Sequence, residues 1–143
     1  MPFKTDLCVK WIAEGKDRCL WQLISSLAHD GCWPDIIIIA PTGFYTDFGS
    51  IPRDFVAWHL FGGKFNEEAA IHDYLYRIDS IPVVTQEQAD YWLWFTLKES
   101  GRYSEIDCRV IWNAVHLAGK DSFHKYKVAD ALPIDMVGGK EHE

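Results

Sequence analysis

The sequence predicts an α+β fold, with a small N-terminal antiparallel sheet packed against about three C-terminal helices. Three observations predict it. The first half is made of short runs of β-branched, aromatic and aliphatic residues separated by turn residues. The second half changes to helical spacing, with capping residues at the helix starts. The chain has 143 residues, 48% of them hydrophobic and 15% aromatic. That suits a single core, whereas two cores from this length would each be marginal. One domain over residues 1–130 and a loose C-terminal tail over 131–143 are expected, because Pro133 and Gly138-Gly139 give the tail little to pack.

Taken in order, residues 7–13, 19–27 and 36–40 read as strands. They are separated by Glu14-Gly15-Lys16-Asp17 and His29-Asp30-Gly31, which are turn material. Pro41-Thr42-Gly43 then turns the chain into residues 44–48, where apolar and polar side chains alternate as on a half-buried strand. Gly49-Ser50-Ile51-Pro52 ends it, since proline removes a ladder donor. Asn66-Glu67-Glu68 starts a helix with a capping side chain and first-turn carboxylates. From it, Ile71, Leu75 and Ile78 fall on one face. After a break at Ser80-Ile81-Pro82, Thr85-Gln86-Glu87-Gln88 is a capping-box pattern. It opens a helix that runs to about Ser100 and stops at Gly101. Ser104 is a weaker start for a third helix, whose apolar stripe is Ile106, Val110, Ala114, Leu117 and Ala118 and which ends near Gly119.

Composition narrows the function. There are 14 basic and 21 acidic side chains, a net charge of −7. That balance, with no lysine or arginine run, argues against coating nucleic acid, which requires a basic face. No segment approaches the roughly 18–20 apolar residues of a membrane span. Lys10, Glu14 and Lys16 interrupt any signal-peptide core, so a protein made in the cytoplasm is expected. Cys8, Cys19, Cys32 and Cys108 lack the C-x-x-C spacing of structural zinc sites and read as buried reduced thiols.

Three segments carry residues suited to chemistry. Asp47 and Ser50 sit where a strand leaves the sheet and could present a carboxylate and a hydroxyl at its rim, with Arg53 beside them. The plainer reading is that Asp47 and Ser50 bond neighbouring backbone amides and shape the turn. On the first helix, His72 and Tyr76 share a stripe beside the apolar face, and Asp73 lies about a quarter-turn further round. Asp73 and Arg77, four apart, can also simply pair. A His-Asp neighbour pair suits a general base or a divalent-cation site, although a boundary histidine bonded to a backbone carbonyl is the plainer alternative. Asp90 is the only charge between Glu87 and Lys98, in a helix apolar nearly all round. A buried carboxylate needs a partner, which His72, Arg53 or a metal ion would supply. Otherwise Asp90 gains only from the helix dipole. His116 projects opposite the apolar stripe of its helix and reads as solvated. His59 packs in a hydrophobic stretch.

The order Pro41-Thr42-Gly43-Phe44, Thr46-Asp47, Ser50, Pro52-Arg53, then Ala69-Ala70-Ile71-His72-Asp73-Tyr74-Leu75-Tyr76, then Ala89-Asp90 resembles the phage and prophage family catalogued as domain of unknown function 1353. The resemblance spans about residues 36–120. It implies an origin in a tailed bacteriophage or prophage and brings no activity with it. His72-Asp73-Tyr74-Leu75-Tyr76 is also locally similar to the H-D-x-C-Y helix of secreted phospholipases A2. Here position 75 is leucine, and neither a disulfide framework nor a glycine-rich calcium loop accompanies it.

Two functions follow as expectations. The first is a phage-encoded small hydrolase or divalent-metal protein. His72, Asp73, Asp47 and Ser50 would be its catalytic set, with Arg53 and Tyr76 as binding and orienting groups. Asp47, His72 and Asp90 would ligate calcium, magnesium, manganese or zinc. The second is a non-catalytic virion or assembly component (tail, connector or capsid-associated) that contacts other phage structural proteins through aromatics such as Trp11, Trp33, Trp58 or Trp112. The expected location is the host cytoplasm or the virion.

Overall fold

The computed structural model describes residues 3–14, 19–30, 36–46, 66–101, 103–120 and 123–131. Its elements are β1 (Val9–Glu14), β2 (Cys19–Leu23), β3 (Leu27–His29), β4 (Ile38–Ala40) and β5 (Tyr45–Thr46), followed by α1 (Asn66–Leu75), α2 (Gln86–Ser100) and α3 (Glu105–Ala118). The fold is α+β, as the sequence predicts. The antiparallel β structure divides into two sheets, β1-β2-β5 and β3-β4. The expected strand over residues 19–27 breaks at Ile24, which is 56% exposed, and resumes as β3. Trp11 faces Trp21 across β1 and β2, a large cross-strand pair, and the register shifts between Trp11 and Ala13.

The turn after β4 places Gly43 at φ +89°, with the Phe44 N–H donating to the Pro41 carbonyl at 3.1 Å. A left-handed residue at this third turn position favours glycine. The turn returns Gly43 and Phe44 to Leu23 through paired backbone bonds of 2.9 Å each, so β5 lies beside β2.

α2 is the central element. Ala89 and Trp92 join Leu23, Leu27, Ile38, Phe44, Ile71 and Leu75 in one core, while Leu93 and Leu97 pack with Cys108, Ile111 and Val115 of α3 in another. Its ends are where the sequence puts them. Thr85 Oγ1 accepts from the Gln88 N–H at 3.1 Å, the Gln88 side chain accepts from the Thr85 N–H at 2.9 Å, and Gly101 closes the helix at φ +69°. Thr85→Ala removes the Oγ1 half of this box, leaves the backbone N–H that donates to Gln88, and is expected to cost about 1 kcal/mol in urea-induced unfolding.

Burial corrects three expectations. Ile78 is 47% exposed, because α1 ends at Leu75 and the helical spacing no longer applies beyond it. On α3, Ile106 and Leu117 face solvent at 75% and 67%, and Cys108, Ile111 and Val115 are the buried stripe. Val110 and Ala114 of the expected stripe pack only partly, at the edge of the cluster that Cys108, Ile111 and Val115 form with Leu93 and Leu97. Of the cysteines, Cys108 is buried but Cys8 is exposed, both as free thiols. Among the described residues no helix is long and apolar enough to cross a membrane.

Candidate acid–base site

α1, α2 and α3 each bring side chains to one point. α2 is buried on both flanks, and Asp90, one turn into it, has no exposed surface. Its carboxylate accepts three side-chain hydrogen bonds. His72 Nε2 of α1 is 2.7 Å from Oδ1, and the Tyr76 hydroxyl, just beyond α1, is 2.6 Å from the same oxygen. His116 Nδ1 of α3 meets Oδ2 at 2.5 Å. His72 and Tyr76 are buried and their rings lie 4.3 Å apart, whereas the His116 side chain is 26% exposed and stacks flat on Trp112 at 4.7 Å. Gln86 donates to the Tyr76 hydroxyl and to the His116 carbonyl, both at 3.3 Å.

The electrostatics follow from this crowding. Burial alone would push the Asp90 carboxyl up, but the hydrogen bond and charge of His72, with the donors of Tyr76 and His116, outweigh it and hold the group below its ordinary value. Burial pushes the Tyr76 hydroxyl far above the usual range, and its bond to the Asp90 charge pushes it further, so it stays protonated and stays a donor. An ionised carboxylate only accepts. The hydrogens therefore sit on His72 Nε2 and His116 Nδ1, and the second ring nitrogen of neutral His116, Nε2, carries a lone pair.

The expected site residues divide into three sets. His72, Tyr76 and Asp90 converge as the sequence suggests. Asp73 turns to the strand instead, with Thr46 Oγ1 donating to its Oδ2 at 2.5 Å, while Arg77 Nη2 donates to the Tyr45 carbonyl at 2.9 Å. Asp47, Ser50 and Arg53 lie outside the described residues, as does His59. His116 is the residue that sequence reasoning misplaces: it is half-buried and bonded to Asp90 rather than solvated. The unmet need of Asp90 for partners was the signal that could have found it. Among the described residues no group of three His, Cys, Asp or Glu side chains is placed to hold a metal ion. The ring nitrogens of His72 and His116 point at the oxygens of Asp90 rather than at a shared centre, so these donors do not fit an ion, and Asp47, the third expected ligand, is outside the described set.

Residues 21–115 match a family model described as "Protein of unknown function (DUF1353)". No curated protein and no solved structure matches the chain.

Proposed function

The chain belongs to the DUF1353 family of proteins of unknown function, and from that premise we propose that it is a small phage- or prophage-encoded hydrolase with His116 as its general base. The observation that carries this is the Asp90–His116 pair. Asp90 holds Nδ1–H of a ring that is a quarter exposed, among the described residues Nε2 has no partner, and Trp112 stacks beneath the ring. An imidazole oriented through one nitrogen by a buried carboxylate can take a proton at the other. The imidazolium that results is favoured by the Asp90 charge and by the face of Trp112. His72 and Tyr76 keep Asp90 ionised and fixed. His72, buried against the same carboxylate, supports the base and does not reach solvent.

The proposal is tested on p-nitrophenyl acetate, p-nitrophenyl phosphate and p-nitrophenyl glycosides. Turnover of one of these substrate classes is expected, falling about 100-fold or more in His116→Gln with the thermal melt preserved. No turnover on any of the three, or an undiminished variant, overturns the hydrolase reading.

A second reading, the non-catalytic virion component, is favoured by Ile37 and Ile39, each 49% exposed on the outer side of the β4 segment. Finding the chain in fixed ratio to the other proteins of purified virions would support it. A phage lacking the chain that still builds infectious particles would remove it.

A further inference from the structure

The capped end of α3 touches the polar cluster at a second point. A methyl group placed on Gly119 would lie 2.6 Å from Tyr76 Cε2, 2.8 Å from the Tyr76 hydroxyl oxygen and 2.8 Å from the Val115 carbonyl. These distances are closer than non-bonded atoms tolerate, so a side chain here could be accommodated only by pushing the Tyr76 ring out of its packed place. Tyr76 is 93% buried, in a T-shaped contact with Phe123 at 5.1 Å and tilted against the His72 ring at 4.3 Å. The absence of a side chain at 119 therefore lets Tyr76 reach Asp90 beside the helix that carries His116.

We propose that Tyr76 is a positioning residue of the acid–base site, which sets how strongly Asp90 holds the proton of His116. This rests on the reading of Asp90–His116 as the reactive pair. Three donors share one carboxylate, and the two on Oδ1, from His72 and Tyr76, withdraw charge that would otherwise reach Oδ2 and His116. Removing the Tyr76 donor leaves Asp90 more basic, so the imidazolium of His116 is held more tightly. Strengthening that donor does the reverse. The other titratable group on Asp90 is His72 from α1, and Asp73, bonded to Thr46, adds its charge near Tyr76. Arg109 on α3 and Lys120 just beyond it are exposed, and their charges are screened by solvent.

The test reads the imidazole of His116 by nitrogen-15 NMR against pH, assigned by its loss in His116→Gln. Tyr76→Phe is expected to raise the pH of half-protonation by about 0.5–1 unit, a part of one charge-assisted hydrogen bond, because the effect reaches His116 only through the carboxylate. Incorporation of 3-fluorotyrosine at position 76, a stronger donor of nearly the same shape, is expected to lower it. Opposite displacements distinguish tuning from loosened packing, which would not change sign with donor strength. Gly119→Ala, which crowds the ring away from Asp90, is expected to move the titration in the same direction as Tyr76→Phe. A titration unchanged in Tyr76→Phe and in the fluorotyrosine protein overturns the proposal. Since no turnover is measured, opposite shifts in a protein that hydrolyses nothing would sustain this inference while removing the hydrolase reading.

Discussion

Replacing Asp90 with alanine is expected to lower folding stability by about 3–5 kcal/mol, measured by urea unfolding at pH 7. The carboxylate is fully buried and is the common acceptor for His72, Tyr76 and His116. Its loss leaves a void and strands the buried donors of His72 and Tyr76, each costing about 1–3 kcal/mol when unpaired. His116, a quarter exposed, can turn to water and adds less. Asp90→Asn keeps the volume and one acceptor oxygen, so it should cost less than Asp90→Ala but more than a surface substitution. A loss below about 1 kcal/mol in Asp90→Ala would mean that the three helices do not depend on this junction. The same group gives an acid limb. Its folded value lies below the ordinary one, so its contribution is complete above about pH 4, the unfolded value. That contribution is lost as pH falls through the folded value beneath it.

The second large effect lies at higher pH and in another part of the core. His29 on β3 has no exposed surface, lies edge-on to Phe3 at 4.7 Å and to Trp92 at 4.8 Å, and among the described residues neither ring nitrogen has a hydrogen-bond partner. Burial lowers its value from 6.5 to about 4, and the nearby Asp30 charge offsets only part of that. The folded chain therefore resists a proton that the unfolded chain accepts, and stability is complete above pH 6.5 and declines as pH falls toward 4. The loss expected from this group is about 2 kcal/mol at pH 5 and approaches about 3 kcal/mol below pH 4. His29→Leu, of similar volume and without a ring nitrogen that lacks a hydrogen bond and meets only the Glu99 carboxylate at 3.9 Å, should be no less stable at pH 7 and clearly more stable than the parent at pH 5. Equal pH slopes between pH 6.5 and 4 in the two proteins would show that His29 is not the group responsible. Asp90 and His29 act in adjoining pH windows, so the two substitutions should flatten different parts of one stability curve.

Much of this architecture is local and therefore legible in the sequence. The box at Thr85 and Gln88, the stop at Gly101, the start at Ser104 and the turn glycine at 43 each involve residues three or four apart. No distant partner is needed to decide them. The isolation of Asp90 in an apolar helix was also visible, and with it the need for a buried partner. The family match over residues 21–115 agrees with the family that the sequence resembles.

Which partners Asp90 would take was not legible, because that depends on how three helices pack. His116 lies 26 residues away along the chain, and α3 offers two apolar faces of similar quality, Ile106-Val110-Leu117 and Cys108-Ile111-Val115. Periodicity measures how apolar a face is, but not which face finds Leu93 and Leu97. Once α2 selects the second face, α3 is rotated so that His116 meets Asp90 and Gly119 lies against Tyr76. The strands show the same division. Residue type between turns, and alternation at residues 44–48, identified them, but the pairing of β2 with β5, and of β3 with β4 in a separate sheet, came from the turn at Gly43 and from the core each sheet covers. Short-range hydrogen bonding and periodicity thus fixed where the elements lie, whereas contact between distant surfaces alone decided which polar groups meet.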